Sequence, residues 1–447
     1  MALGALTACG GQGPSTTGTV QPGHARPSTG DGSSPPTADA AHEVPPPAVG
    51  GAGGAGGAGG SGGPSTTPSP PVTIDLLPPA DALRPFQHAA EVSVAAHGDD
   101  VVVSAINIHT DGAETLRAAA LLRQVGVAVS HDRGDTFAPP INPGFTNSET
   151  SDPVVRVTRD GTFWLAAIGV EATGNKGLLL HSPNGGRDFV TIHDELAVYD
   201  KEWMAASPGG GLVLGADGGL WRFDESGAIS TSWVGQFDWT VFGAFDDDDG
   251  AHFSTDHAVY RWTGDAGFAE GVHIFQEHDQ SSGWSVPIGR AADGALWTIF
   301  GSAPYQDVPG VVGDVRLALF SADSDLMGTT IPISAPGETA FMPAAAQDQD
   351  GRLHVIWYDS SGPAGVLKYA RSASADLRDG FLPPMIVDGN ACPGGRWYPV
   401  FGEADATPDD RRLREYVDLS ISDRRVHMAW THAPALPSRV LVSHLDF

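Results

Sequence analysis

The stretch VGVAVSHDRGDTF, residues 125–137, has the pattern of a strand followed by a tight turn. Valine at every second position from 125 to 129 predicts a β-strand with one apolar face. Asp132 can then accept hydrogen bonds from backbone N–H groups two or three residues further on, and Gly134 supplies the positive φ that such turns often need. Phe137 is placed to fold back into the gap between neighbouring sheets. The stretch therefore predicts a strand closed by a turn that is centred on a carboxylate.

The string S-x-D-x-G-x-T-F within this stretch resembles the Asp-box, or BNR, repeat of the sialidase-like β-propeller superfamily. SPNGGRDF at 182–189 is a weaker copy, with asparagine where the acid stood. The resemblance implies that the boxes are structural and lie on turns away from the pocket. The residues it assigns to this structural role are Ser130, Asp132, Gly134, Phe137, Ser182, Asn184, Gly186 and Phe189.

The rest of the chain repeats short alternating runs and tight turns over units of about 50 residues, which is typical of four-stranded propeller blades. Tight turns that begin such units lie near positions 98, 160, 209, 249, 293, 350 and 423. The pattern predicts an all-β propeller over 72–447, with seven blades favoured and six as the alternative. The run VTIDLL at 72–77 is free to supply a fourth strand to the last blade and close the ring.

The chain of 447 residues has a net charge of −29, which argues against a nucleic-acid partner because phosphate binding needs a basic face. Two cysteines, Cys9 and Cys392, predict neither a disulfide framework nor a cysteine metal site. The acidic run FDDDDG at 245–250 is interpreted as a solvated turn rather than a calcium loop, because consecutive acids do not spread around a cation. No metal and no cofactor is expected.

The amino-terminal residues 1–9 resemble a truncated bacterial signal peptide with a lipobox, in which Cys9 would be lipidated. Residues 10–71 are dominated by Gly, Ser, Thr, Pro and Ala, so they are expected to form a disordered tether. Together these features predict a protein of the cell envelope, lipid-anchored and surface-exposed or periplasmic, or else secreted. Its only contact with a membrane would be the lipid anchor, and it is expected to be a monomer.

The resemblance implies a pocket rimmed by residues at the start of each blade's innermost strand. These positions carry acids and aromatics, among them Glu91, and carboxylates can act as acid, base or nucleophile at a glycosidic bond. Each of these positions also has a structural interpretation. An acid before proline, as at 152, often only caps a turn, and Trp203 can equally lie in the core between blades instead of at a pocket. The candidate catalytic residues are Asp152, Asp200, Glu202, Glu415 and Tyr416.

Candidate binding residues come from the same rim and from a long connection over 387–415. Loops of this length inside a compact domain are usually functional or disordered, and aromatic residues in this one favour an ordered lid. Asp359 follows an apolar strand and is a further rim candidate. The candidate binding residues are Lys201, Trp239, Trp284, Asp359, Arg396, Trp397 and Tyr398.

Two hypotheses follow from different classes of protein. The first is a glycan-binding propeller that also hydrolyses its ligand, which is a glycan or a cell-surface polysaccharide. The second is a non-catalytic propeller that only binds a glycan or a protein, as a scaffold or adhesin on the same fold, since fold does not determine function. The sequence slightly favours binding over hydrolysis. The three arginines and the Arg-Ile-Pro motif of sialidases are not recognisable here, because the nearest string is LRPF at 83–86. The rim acids are expected to be solvated, so that their removal would hardly change stability.

Overall fold

A computed structural model describes residues 72–74, 86–110, 122–147, 149–171, 174–198, 202–207, 209–234, 243–247, 250–255, 258–262, 272–273, 286–301, 313–321, 330–393, 417–434 and 438–447. Within these residues the strands form seven antiparallel sheets, and the first strand of each sheet contacts the first strand of the next around a closed ring. The chain is therefore a seven-bladed β-propeller, and the predicted fold class is confirmed.

Blade 1 contains β2 (Phe86–His97), β3 (Asp100–Thr110) and β4 (Leu122–Ser130), and a single bridge joins Val127 of β4 to Ile141 in the position of a fourth strand. Blade 2 contains β5 (Glu149–Val157), β6 (Phe163–Glu171), β7 (Gly174–Ser182) and β8 (Val190–Leu196). Blade 3 contains β9 (Trp203–Ala206), β10 (Leu212–Ala216), β11 (Gly219–Phe223) and β12 (Ile229–Val234).

Blade 4 contains β13 (Gly243–Asp247), β14 (Gly250–Ser254), β15 (Ala258–Trp262) and β16 (Val272–His273). Blade 5 contains β17 (Ile288–Arg290), β18 (Leu296–Gly301), β19 (Val315–Phe320) and β20 (Ile331–Pro332). Blade 6 contains β21 (Ala340–Gln347), β22 (Leu353–Asp359), β23 (Ala364–Arg371) and β24 (Met385–Pro393), with a 3₁₀ turn at Leu377–Asp379.

Blade 7 closes the ring. It contains β25 (Asp418–Ser422), β26 (Arg425–His432) and β27 (Arg439–Asp446), and its outer strand is β1 (Val72–Ile74) from the other end of the chain. Val72 pairs with Val442 and Ile74 with Val440 in an antiparallel register. Strand donation by the segment that begins at residue 72 is thus confirmed, and it covers one edge that would otherwise be open.

The hydrophobic core lies between the blades. The apolar cluster between blades 1 and 2 contains Val127 and Val129 of β4, whereas Ala128 of the same strand packs in the cluster between blades 7 and 1. Both faces of β4 are therefore buried over 125–129, and this explains why that part of its sequence has no polar side chain. Phe137 and Phe189 pack against these two clusters, in the gaps between sheets where the sequence predicts aromatic residues.

The tight turns between the first and second strands of the blades all lie on one side of the ring, here called the turn face. The opposite side, where each first strand begins, is here called the entry face. In an antiparallel blade the third strand runs back to the turn face, so the Asp-box turn after β4 lies there as well. A backbone hydrogen bond of 2.9 Å from Arg133 N to the Asp99 carbonyl joins it to the β2–β3 turn.

Candidate functional site

The first strands of blades 1, 2 and 6 share one irregularity. Each contains a β-bulge in which two residues have no partner in the second strand, namely Glu91-Val92, Asp152-Pro153 and Met342-Pro343. The first residue of each pair has a positive φ, of 54°, 50° and 49° respectively. Such backbone is costly for residues other than glycine and is often found at functional sites. Proline fits the second position because a bulge does not require its missing N–H.

The bulges place an acid at the same level of two neighbouring first strands, and the third blade has an acid just before its own first strand. Glu91, Asp152 and Glu202 are 2%, 8% and 1% exposed. The expectation that the acids at 152 and 202 are solvated is therefore wrong: blade packing encloses them. The expectation of a turn cap at 152 is also wrong, since this residue lies within β5 and its Oδ2 accepts a 2.7 Å hydrogen bond from Ser151.

Burial gives these three carboxylates a chemistry that surface acids lack. Moving an ionised carboxylate out of water is expensive unless it is paired or able to take up a proton, so buried acids on a strand are usually retained for a purpose. Met342 shows that the same bulge can be built with an apolar residue, because its side chain is fully buried in the core between blades 6 and 7. The acids at 91 and 152 are consequently not required by the bulge itself.

Trp203, the first residue of β9, lies in the apolar core shared by blades 2, 3 and 4 and is not an exposed binding surface. The guanidinium carbon of Arg156 lies 4.8 Å from the centre of its ring, which is within the range of a cation–π interaction. Arg156 also forms a 2.8 Å ion pair with Asp418 of blade 7. Arg156 thus links β5 to the first residue of β9 and to Asp418 at the start of β25.

Asp359, at the end of β22, is buried and bound into blade 6. Its Oδ2 lies 2.8 Å from Lys368 Nζ, and its Oδ1 accepts 2.7 Å and 3.0 Å hydrogen bonds from the hydroxyl and N–H of Ser361. Burial opposes ionisation, but the hydrogen bonds from Lys368 and Ser361 outweigh it and lower the pKa of Asp359. This acid is an ion-pair partner held ionised within the blade, and nothing in its geometry distinguishes it as a ligand-binding residue.

Most of the remaining candidates lie outside the described residues. These are Cys9, Asp200, Lys201, Trp239, Trp284, Arg396, Trp397, Tyr398, Glu415 and Tyr416. Their assignments, and the tether over 10–71, stay predictions. Among the residues that are described, no three His, Cys, Asp or Glu side chains are grouped to hold a metal ion, and no helix is long and apolar enough to span a bilayer.

The two box-like turns have matching geometry. Gly134 N donates to Ser130 Oγ at 2.9 Å in the first, and Gly186 N donates to Ser182 Oγ at 3.0 Å in the second. Asp132 accepts from Ser130 Oγ at 2.7 Å and from Thr136 N at 2.8 Å, four residues on rather than the two or three expected. Burial opposes ionisation of Asp132, but the hydrogen bonds from Ser130 and Thr136 lower its pKa to about 2.

Comparison with known proteins shows the fold and no more. No protein-family model and no curated protein matches the sequence. A protein of unknown function from Dyadobacter fermentans DSM 18053 superposes with a TM-score of 0.51 at 14% identity, over 85% of this chain and 98% of that one. At that identity the likeness extends to the fold alone.

Two further solved structures have lower similarity. A Hadza microbial sialidase gives a TM-score of 0.43 at 13% identity, over 82% of this chain and 66% of that one. An α-L-arabinanase of Penicillium chrysogenum, solved with arabinobiose, gives 0.43 at 12% identity, over 85% and 98%. TM-scores of this size carry no argument about the present site.

Sequence reasoning missed part of this arrangement. It places Glu91 in the ring of entry positions but not among the catalytic candidates, and it does not single out Arg156, Ser93 or Asp418. One signal in the sequence could have identified Glu91. The strings A-E-V at 90–92 and S-D-P at 151–153 occupy equivalent places in consecutive repeats. No local pattern marks the other three, because their contacts join blades that are distant in sequence.

Proposed function

We propose that this protein is a glycan-active propeller that binds glycans at its entry face and hydrolyses glycosidic bonds with the acids of its first three blades. The observation that carries the proposal is the burial of Glu91, Asp152 and Glu202 on three consecutive blades, two of them on matching strained bulges. Glycoside hydrolysis requires one carboxyl group to donate a proton while another acts as nucleophile or base. Buried carboxyl groups suit this task, because withdrawal from water in general disfavours the charged form of an acid.

Hydrolysis is favoured over the alternative of a non-catalytic scaffold by the same observation. A surface that only binds a protein or a glycan has no need for three carboxylates withdrawn from water. Trp203, which directly follows Glu202 in the sequence, is packed between blades and offers no stacking surface to a sugar. The sialidase reaction itself is not proposed, since its arginine motif is not recognisable in the sequence.

The test is a panel of 4-nitrophenyl glycosides together with a glycan array, applied to the full chain and to Glu202→Gln. The substitution keeps the shape of the side chain and removes the proton transfer, so hydrolysis is expected to fall by about 100-fold or more. The melting temperature of both proteins is measured alongside, so that loss of a structural contact of Glu202 can be distinguished from loss of chemistry. The matched control is Glu195→Gln, the same change at an exposed position of β8, which should alter neither quantity.

Glycan binding without cleavage of any glycoside would contradict hydrolysis. A Glu202→Gln variant with unchanged binding and cleavage would remove this acid from the site altogether. A large fall in melting temperature would show instead that the carboxylate is bonded into the blade framework.

We also propose that Cys9 carries a lipid anchor and that residues 10–71 tether the propeller to the cell envelope. The proposal is supported by the lipobox-like string LTAC at 6–9 and by the Gly-rich tract that follows. A Cys9→Ser variant expressed from the complete gene should leave the membrane fraction, and retention there would contradict the anchor.

A further inference from the structure

One polar network joins the first strands of blades 7, 1 and 2. At its centre is Ser93 of β2, whose hydroxyl donates to Asp418 Oδ2 at 2.7 Å. The same hydroxyl accepts from Val155 N and from Arg156 Nη1, each at 3.1 Å. Asp418 Oδ2 also accepts from Val94 N at 3.0 Å and from Arg156 Nη1 at 2.8 Å. The hydroxyl and the carboxylate oxygen are both fully used by these bonds, so the geometry of the network is narrowly defined.

Arg156 extends this network to blade 3. Its Nη1 is held by three acceptors, the third being the Val155 carbonyl at 2.7 Å. Its guanidinium carbon then lies over the ring of Trp203, 4.8 Å from the ring centre. A guanidinium held by three acceptors and lying over the indole restricts where the indole can lie.

The network lies on the strands that carry the three buried acids. Glu91 precedes Ser93 by two residues on β2, Asp152 precedes Arg156 by four on β5, and Glu202 immediately precedes Trp203. Any displacement of Arg156 therefore acts on the strand of Asp152 and, through the indole, on the backbone of Glu202. Asp418 contributes the anchor on blade 7.

We propose that Arg156 is a positioning residue, which holds Trp203 and thereby sets the place of the Glu202 carboxylate relative to those on blades 1 and 2. The proposal rests on the proposed function, because it assigns Arg156 to the site that contains these acids. Displacements of about 1 Å at reacting groups can reduce rates by about 100-fold, so a residue that never touches the ligand can still control it.

Arg425 provides a matched control, since it makes a comparable network at the turn face of the same ring. Its guanidinium pairs with Asp446 Oδ1 at 2.7 Å and with Asp135 Oδ1 at 2.9 Å, and it bonds the Arg133 carbonyl at 3.0 Å. It joins blade 7 to the turn of blade 1 and is as enclosed as Arg156, with side-chain exposures of 10% and 19%. Loss of Arg425 removes a link between blades without reaching the acids.

The experiment compares Arg156→Lys with Arg425→Lys in the full chain. Lysine keeps the charge in both, but it cannot hold three acceptors and stack on an indole at once. Each variant is labelled with 5-fluorotryptophan, and the Trp203 resonance is assigned by its disappearance in Trp203→Phe. The same samples are assayed for melting temperature and for kcat, KM and the pH profile on the 4-nitrophenyl glycoside that the wild-type protein cleaves best.

The Trp203 fluorine resonance is expected to shift or broaden in Arg156→Lys and to stay unchanged in Arg425→Lys. In Arg156→Lys, kcat should fall by about 10- to 100-fold and the pH profile should be displaced. The two variants should lose a similar amount of melting temperature. An unchanged Trp203 resonance, or a loss of kcat no greater than in Arg425→Lys, would overturn the proposal.

The two proposals fail in distinguishable ways. If the wild-type protein cleaves no glycoside while Trp203 still moves in Arg156→Lys, the function is wrong and the control of Trp203 by Arg156 stands. If Glu202→Gln abolishes hydrolysis and Arg156→Lys leaves kcat and the pH profile unchanged, the function stands and the positioning role is wrong.

Discussion

The acids of the entry side and the acid of the Asp-box turn are members of one residue class in opposite surroundings. Glu91 and Glu202 are buried on or beside the ring of first strands, whereas Asp132 is exposed and uses both carboxylate oxygens within its own turn. A local ring of hydrogen bonds explains Asp132 completely as a structural residue. No hydrogen-bonded turn of this kind accounts for Glu91 or Glu202. The strength of a motif is therefore no guide to a catalytic candidate in this fold: the most recognisable acid maintains a turn, and the least recognisable ones are the candidates for chemistry.

This comparison predicts that changes at the turn face alter stability and leave ligand binding intact. The largest effect is expected at His427, which is buried beside the blade-1 turn with its Nδ1 close to Gly134. Burial, followed by repulsion from His444 and Arg425, lowers the pKa of His427 to about 3 from an ordinary value of 6.5. The unfolded chain therefore binds this proton first as the pH falls.

Stability should accordingly be complete above about pH 6.5 and decline below it, by about 1.4 kcal/mol per pH unit for this one group. Aspartates whose pKa is lowered, such as Asp446, act only below about their unfolded value of 3.8, so they do not contribute to the pH dependence between pH 6.5 and 4.5. Denaturant unfolding of His427→Leu should show a flatter dependence on pH in that interval. An unchanged slope in His427→Leu would show that this histidine is not the sensor.

A smaller effect is expected from Asp132→Ala. The change removes the acceptor for Ser130 Oγ, Thr136 N and Thr136 Oγ1, and should lower the free energy of unfolding by about 1–2 kcal/mol. Asn184→Ala removes the neutral equivalent in blade 2, where the bonds to Asn184 Oδ1 are longer at 2.9 Å and 3.2 Å, and should cost less. Chemical denaturation measures both values. Loss of glycan binding in a folded Asp132→Ala protein would contradict the structural role of the turn, because it would show that the turn contributes to the binding site.

The fold could be predicted because its signals are local. Alternating valines over 125–129, tight-turn residues near the start of each unit and an unassigned strand at 72–74 all act within a few residues, and together they indicate seven blades with a donated closing strand. The bulges at Glu91 and Asp152 could not be predicted in the same way. A bulge is defined by pairing with the second strand, so its register depends on the neighbouring strand rather than on its own sequence.

The sequence by itself determined the repeating strand and turn pattern, since alternation and turn chemistry are written residue by residue. Only the tertiary structure decided which acids are withdrawn from water and which groups hold them. Arg156 and Asp418 are 262 positions apart and meet at 2.8 Å because the ring brings blade 7 beside blade 1 and within reach of blade 2. Burial of Glu202 has the same origin: blades pack face to face through apolar clusters, and that packing encloses a residue whose own sequence predicts exposure.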